Sequence, residues 1–307
     1  MRKYLIGRLI AAVPTILGVV VIVFIALRVL PGSVADRLAA DFGMSAADIA
    51  RLEAQWGLDD PIVVQFGRFV SDAVRGDFGR SIWSRRPVTQ QITQQLPATI
   101  ELAAAAMAIA ILIGIPLGIL AALRRDSWLD TASMAVALIG VSMPNFWLGL
   151  VLIVVFGATL GWLPMAGSGG WQHLILPAFT LGFSLSGIIA RLVRAAMLEA
   201  LSQDYVRTAR SKGLAERLVA WKHALRNALI PVVTVLGLQI AGLLNGAVVI
   251  ETVFSRPGIG RMLVNGIIDK DFPIVQGVVI LVAGVYVLAN IVVDVLYAAI
   301  DPRISYA

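Results

Sequence analysis

The chain has 307 residues, of which 59% are hydrophobic and 14% are charged, and its mean hydropathy is +0.86. This balance excludes a soluble globular domain and indicates an integral membrane protein. The net charge of +6 does not indicate nucleic-acid binding, because the cations cluster beside apolar runs, where membrane orientation explains them. The absence of cysteine excludes disulfides and thiolate-bound metals. With only His173 and His223 as histidines, we expect no metal site in this subunit.

Six apolar segments are long enough to cross a bilayer, which requires about 17–25 residues. They cover residues 9–29, 98–123, 132–160, 174–190, 228–250 and 274–296. The first exceeds a signal-peptide core of about 7–15 residues, so we expect it to stay as an uncleaved span. The third contains Pro144 followed by Asn145, which predicts a kink or a break. The sequence therefore predicts an all-α membrane protein with six transmembrane helices.

The segment of residues 31–97 separates the first two apolar runs. Apolar residues recur at helical spacing in residues 46–56 and 62–74, ahead of a turn at residues 76–79. We expect a small external subdomain rich in helix. The predicted organisation is residues 1–30 for a tail and first span, 31–97 for the external segment, and 98–307 for a membrane core.

The orientation follows from the distribution of positive charge. Arg2, Lys3 and Arg8 near the N-terminus, the loop with Arg124 and Arg125, and the basic loop of residues 198–227 all fall on one side. Cationic loops mark the cytoplasmic side of a membrane protein. Six spans then place both termini in the cytoplasm.

The basic loop is predicted to fold as two short helices. Asp204 is a candidate N-cap and Gly213 a candidate C-terminal residue for the first helix, with Tyr205, Thr208, Ala209 and Lys212 on one face. The second helix, over residues 216–227, carries an apolar stripe of Leu218, Trp221 and Leu225. Such helices could merely continue the adjoining spans. Because two capped helices exceed what topology requires, we interpret the loop as a docking element.

Three amides, Asn145, Gln239 and Asn245, fall within predicted spans. Amides at membrane depth bond across helices or line a wet cavity, so they are candidates for a translocation pathway, with helix packing as the alternative. Glu101 is close to a predicted helix start, where the helix dipole would stabilise it. Gly114 and Gly118, like Gly242 and Gly246, have the spacing that permits close helix packing.

The sequence resembles the permeases of bacterial ABC importers of the dipeptide, oligopeptide and nickel group. The similarity is carried by collinear motifs along nearly the whole chain: residues 30–32 (LPG), 76–79 (GDFG), 96–99 (LPAT), 141–147 (VSMPNFW), 204–214 (DYVRTARSKGL), 222–231 (KHALRNALIP), 250–261 (IETVFSRPGIGR) and 294–303 (DVLYAAIDPR). In that family the EAA motif of the cytoplasmic loop couples to the ATPase. Here Arg207, Thr208 and Ala209 stand at the EAA position before Gly213, with arginine replacing the glutamate.

The resemblance implies a function for each segment. The coupling element would comprise these residues of the basic loop: Asp204, Tyr205, Arg207, Thr208, Ala209, Arg210, Lys212 and Gly213. The partners implied are a paralogous six-span permease, two cytoplasmic ATPases and an extracytoplasmic binding protein. The chain itself would lie in the bacterial inner membrane, in contact with lipid. Arg85, Arg86, Arg256 and Arg261 are candidate charges for docking the binding protein.

No Gly-Lys pair occurs in the chain, so it lacks the P-loop that holds nucleotide phosphates. We therefore expect no cofactor here, with ATP and Mg²⁺ bound by the partner ATPases. Dipeptides or oligopeptides are the first expected cargo, with glutathione and nickel chelates as alternatives. The rival functions are an ion-coupled secondary transporter, which would need inverted repeats and an acidic residue at mid-membrane, and a membrane enzyme, for which no catalytic set is present.

Overall fold

The computed structural model describes residues 2–29 and 59–300, together with scattered positions between 43 and 57. Most of the helix predicted at residues 46–56 therefore lies outside the described residues. In the described part of the chain we number the α-helices α1 to α11: α1 (Arg2–Val29), α2 (Ile62–Val74), α3 (Val88–Leu123), α4 (Trp128–Ser142), α5 (Asn145–Leu152), α6 (Gln172–Ser202), α7 (Asp204–Ser211), α8 (Glu216–Leu218), α9 (Leu225–Val253), α10 (Ile259–Ile268) and α11 (Phe272–Ile300). Two π-helical segments, Ile153–Thr159 after α5 and Val219–Ala224 between α8 and α9, complete the helical structure.

The predicted all-α class is confirmed, and the spans match by length and composition. Five helices of the described residues are long and apolar enough to cross a membrane, and α4 with α5 makes a sixth if the bent pair counts as one span. The helix axis bends by 102° between the two halves of this pair. Proline clashes with a helical residue before it, and Met143, which precedes Pro144, is extended with ψ of 129°. The predicted break at Pro144 is therefore present.

Contacts divide the chain into two compact units. The first unit comprises residues 1–97 and 258–287. Its core joins the start of α3 to α10 and α11 through six buried side chains: Val88, Ile92, Ile259, Met262, Ile274 and Val278. No sequence pattern predicted that residues 258–287 pack with the N-terminal segment.

A buried carboxylate fixes the turn before α3 in this first unit. Asp271 accepts hydrogen bonds from the Ser81 hydroxyl at 2.5 Å and from the Ile82 amide at 3.1 Å. Nearby, the Trp83 indole donates to the Asp269 carbonyl at 2.8 Å. Burial raises the pKa of Asp271, and these hydrogen bonds oppose that rise.

The second unit comprises residues 98–257 and 288–307. Its core is built around α6, whose buried residues include Ile189, Val193 and Met197. Glycines let the helices around α6 approach closely. An ideal Cβ on Gly114 would lie 2.7 Å from the Ser186 carbonyl oxygen, and one on Gly118 would lie 2.6 Å from that of Ala190. The close packing expected at this glycine pair is present.

Ion pairs between distant parts of the sequence join the helices of the second unit. Arg194 of α6 binds Asp130 of α4 bidentately, with both N–O distances at 2.6 Å and Asp130 buried. Arg256, after α9, pairs with Glu101 of α3. The prediction that the helix start explains Glu101 is wrong, because α3 begins at Val88, more than three turns earlier.

Candidate functional site

The first helix of the basic loop is present as α7, but its N-terminal cap differs from the predicted one. Gln203 occupies the N-cap position, and Asp204 is the first helical residue. No side chain of the described residues caps this end, so the prediction of Asp204 as the cap is wrong. At the other end Gly213 has a φ of +75° and its amide donates to the Arg210 carbonyl at 2.9 Å. Glycine adopts this left-handed conformation without steric cost, which explains why the helix ends here.

One face of α7 is buried. Val206 and Ala209 pack with Val219 of the following π-helical segment, and Leu201 and Leu214 cover the cluster. Ala209 therefore belongs to the buried face, whereas Tyr205, Thr208 and Lys212 are exposed. This small core fixes α7 against the segment that leads into α9.

The second predicted helix is not a single α-helix, because α8 ends at Leu218 and a π-helical segment follows at Val219–Ala224. Leu218 and Trp221 of the apolar stripe are 42% and 55% exposed, and the buried residues of this segment are Val219, Ala220 and Ala224. A π-helical turn inserts an extra residue and rotates the following side chains relative to an α-helix.

The exposed surface of the basic loop combines cations with apolar side chains. Arg207 and Lys212 are exposed, and Arg210 donates to Glu216 at 2.5 Å. Leu218 and Trp221 lie on the same short loop, and Tyr205 is also exposed. Large exposed apolar side chains rimmed by charge mark a protein interaction surface.

A second feature is a cavity of about 240 Å³ between α5, α6 and α9. Asn145, at the start of α5, and Gln239, on α9, both line it. They were singled out from sequence alone, and the structure brings them together. Ser184 adds a hydroxyl, and Gly242 and Gly246 leave room on α9. Asn245 is exposed and does not line this cavity.

The four arginines proposed as docking charges have different environments. Arg85 and Arg86 are exposed, and Arg261 is half-buried. Arg256 is only 4% exposed and is paired with Glu101. The prediction that Arg256 is a surface docking charge is therefore wrong, because a buried guanidinium held by a carboxylate cannot meet a partner protein.

An all-helical membrane chain with a cavity between its spans and an exposed basic loop has the form of a transport permease subunit. Residues 114–306 match the family described as the binding-protein-dependent transport system inner membrane component. Residues 1–103 match the N-terminal region of the same kind of membrane component. The chain belongs to this family.

Curated relatives cover the chain from end to end. The glutathione transport system permease protein GsiC of Salmonella paratyphi A is 46% identical over 306 residues and covers 100% of both chains. GsiC of Escherichia coli K12 is likewise 46% identical with the same coverage. Such similarity makes this chain a multi-pass inner-membrane permease subunit of an ABC importer, not an enzyme. ATP hydrolysis belongs to partner ATPase subunits.

Solved structures show the same fold. The methionine ABC transporter MetNI in inward-facing conformations matches with a TM-score of 0.59 and 20% identity, covering 69% of this chain and 97% of that one. An amino acid ABC transporter with histidines matches with a TM-score of 0.54 and 16% identity, covering 70% of this chain and 95% of that one. At these identities the likeness concerns the fold alone.

Proposed function

We propose that this permease imports short peptides and that glutathione is the first cargo to test. The sequence alone favoured dipeptides or oligopeptides. Relatives at 46% identity over their whole length carry the name of glutathione permeases, which moves glutathione ahead. A second permease, two ATPases on the cytoplasmic side and an extracytoplasmic binding protein would complete the importer.

The observation that supports ATP-driven import through this chain is the way α7 is attached. A single residue, Gln203, links α6 to α7, and the buried cluster of Val206, Ala209 and Val219 fixes α7 to the segment that enters α9. A force applied to α7 therefore reaches two long helices at once. These helices line the 240 Å³ cavity, so motion of α7 would reshape the cavity.

The exposed side chains of the basic loop would meet the ATPase. Trp221 and Leu218 supply apolar area, while Arg207 and Lys212 supply charge that orients the encounter. This assignment requires the basic loop and both termini to lie in the cytoplasm. The cationic excess of the loop supports that orientation.

The cavity with Asn145 and Gln239 would form this subunit's share of the pathway. Amides can donate to and accept from peptide groups without the strong retention that an unpaired charge would cause. On the opposite side of the membrane, Arg85, Arg86 and Arg261 remain candidate charges for the binding protein.

An uptake assay tests the proposed function. The chain is expressed with the permease, ATPase and binding-protein subunits encoded beside it, in cells that lack glutathione uptake, and entry of labelled glutathione is measured. We expect saturable uptake that disappears when the P-loop lysine of the ATPase is replaced. Competition by unlabelled dipeptides would show a broader peptide specificity. If neither glutathione nor dipeptides enter, a peptide cargo is excluded.

A further inference from the structure

A separate cavity lies in the first unit, and the turn that holds Ser81, Ile82 and Arg85 forms part of its lining. It measures about 440 Å³, within the range of about 300–1,000 Å³ typical of small-molecule sites. The end of α1, α2, the turn before α3 and the start of α11 form its walls. Phe69, Phe78 and Pro273 provide apolar surface.

Arg28 is held rigidly at the wall of this cavity. Its Nε and Nη2 atoms donate to Gln65 Oε1 at 3.2 and 2.6 Å, and Nη1 donates to the Phe24 carbonyl at 3.1 Å. The guanidinium carbon lies 3.4 Å from the centroid of the Phe24 ring. Gln65 is itself fixed, because its amide donates to the Asp60 carbonyl at 2.8 Å. The Arg28 side chain is therefore preorganised.

The charge of Arg28 is not neutralised by these contacts. Both acceptor oxygens are neutral, and no carboxylate of the described residues forms an ion pair with Arg28. A guanidinium has five N–H groups, so one on each terminal nitrogen remains for an incoming group. These N–H groups can donate charge-assisted hydrogen bonds to a carboxylate.

Arg80, Asp72 and Asp77, which also line the cavity, form no ion pair among the described residues. Arg80 donates only to the Arg85 carbonyl, at 3.2 Å. Asp72 lines the cavity and forms no ion pair with any other described residue. Asp77 lines the cavity as well, and within the described part of the chain its carboxylate accepts only from the Gly79 amide. Arg68, by contrast, is paired with Asp60. The cavity thus offers the cations Arg28 and Arg80 and the carboxylates of Asp72 and Asp77 to a ligand.

We propose that this cavity binds a short peptide in its zwitterionic form. A carboxylate would bind Arg28, with Arg80 beside it, and the ammonium group would bind Asp72. The peptide's apolar parts would contact Phe69, Phe78 and Pro273. This inference rests on the proposed peptide cargo and adds a second substrate site, outside the amide-lined cavity of the other unit.

Binding to the full chain in lipid nanodiscs tests the proposal, with glutathione as the probe and calorimetry as the measurement. The protein lacks cysteine, so a thiol probe cannot form a disulfide with it. We expect Arg28→Gln and Asp72→Asn each to weaken binding by about tenfold or more, since each removes a charge-assisted contact. Arg75→Gln is the matched control, because Arg75, at the C-terminal end of α2, is an exposed arginine that does not line the cavity. The diethyl ester of glutathione, which has no free carboxylate, should also bind at least about tenfold more weakly.

Arg80→Gln provides a second variant at an exposed position, in case Arg28→Gln impairs folding. The proposal is overturned if glutathione does not bind, if Arg28→Gln or Arg80→Gln binds like Arg75→Gln, or if the diester binds like glutathione. Equal affinity for inorganic phosphate would reduce the cavity to a general anion site and also overturn it. Uptake distinguishes the two proposals. Binding that follows the prediction without uptake contradicts the transport function alone, and normal uptake with charge-insensitive binding contradicts only this site.

Discussion

The pairing of Arg256 with Glu101 shows how far burial controls the role of one residue. Arg256 has 4% of its surface exposed, while the Glu101 side chain is 56% exposed. A glutamate left alone here would be partly exposed, whereas an arginine left alone would be a buried charge without compensation. Among the described residues the buried Nε of Arg256 has no hydrogen-bond partner, so Glu101 is the group that compensates its charge.

We therefore expect an asymmetric response to mutation of this pair. Glu101→Gln should destabilise the protein by about 2–4 kcal/mol, because it leaves a buried cation uncompensated. Adding Arg256→Met to the Glu101→Gln variant should recover most of that loss, because replacement of a buried ion pair by apolar groups is often neutral. Thermal unfolding in detergent would measure both effects. Equal stability of wild type and Glu101→Gln would show that the pair contributes nothing.

Gln239 provides a residue-scale test of the amide-lined cavity. Gln239→Leu removes one uncharged hydrogen-bonding group, so peptide uptake should fall about three- to tenfold without loss of assembly. Thr234→Val lies on the same helix outside the cavity lining and serves as the control. Initial uptake rates at subsaturating substrate are the measurement. An unchanged rate in the Gln239→Leu variant would remove this cavity from the pathway.

At this scale, residues whose chemistry alone constrains their placement are predictable from the sequence. Asn145 and Gln239 attracted attention because amides are costly at membrane depth, and both line one cavity. The environment of Arg256 could not be predicted, since its partner lies 155 residues away and nothing local indicates that contact.

At the scale of the element, the basic loop depends on two backbone features. Gly213 ends α7 with a positive φ, and the π-helical turn at Val219–Ala224 directs Trp221 outward. The first was predictable, because glycine has a known preference at helix ends. The second was not, since hydrophobic spacing assumes about 3.6 residues per turn and a π turn breaks that assumption.

Gly213 allows the coupling role of α7 to be tested. Gly213→Pro removes the N–H that bonds to Arg210 and imposes a φ near about −65° where the structure has +75°. The assembled complex should lose substrate-stimulated ATP hydrolysis. Gly213→Asn should retain it, because asparagine tolerates the left-handed region and no atom lies within 4 Å of the added Cβ. Full stimulation in the proline variant would refute transmission through α7.

At the scale of the whole molecule, the apolar runs and Pro144 predict the number of spans and the broken helix. They do not predict the division into two units, because packing of residues 258–287 with the N-terminal segment depends on contacts between distant parts of the sequence. Long periodic elements are readable from sequence, whereas long-range packing is not.

Orientation in the membrane is testable because the protein has no cysteine of its own. Ser211, on the basic loop, and Ser168, between α5 and α6, are both exposed. A cysteine at residue 168 should react with an impermeant thiol reagent in intact cells, whereas one at residue 211 should react only after permeabilisation. The opposite pattern would invert the assigned orientation.

The glycines around α6 have a mechanical consequence. Carbonyl oxygens of α6 would lie 2.7 and 2.6 Å from a Cβ on Gly114 and Gly118 of α3, and a Cβ on Gly187 of α6 would lie 2.2 Å from the Ala137 carbonyl of α4. Sliding by one residue would drive side chains into these backbones, so the three helices cannot translate along one another. They therefore move as one rigid body. We expect spin labels at the exposed positions Leu112 and Leu138 to keep one separation in every nucleotide state. A change in that distance would mean that the helices shear during transport.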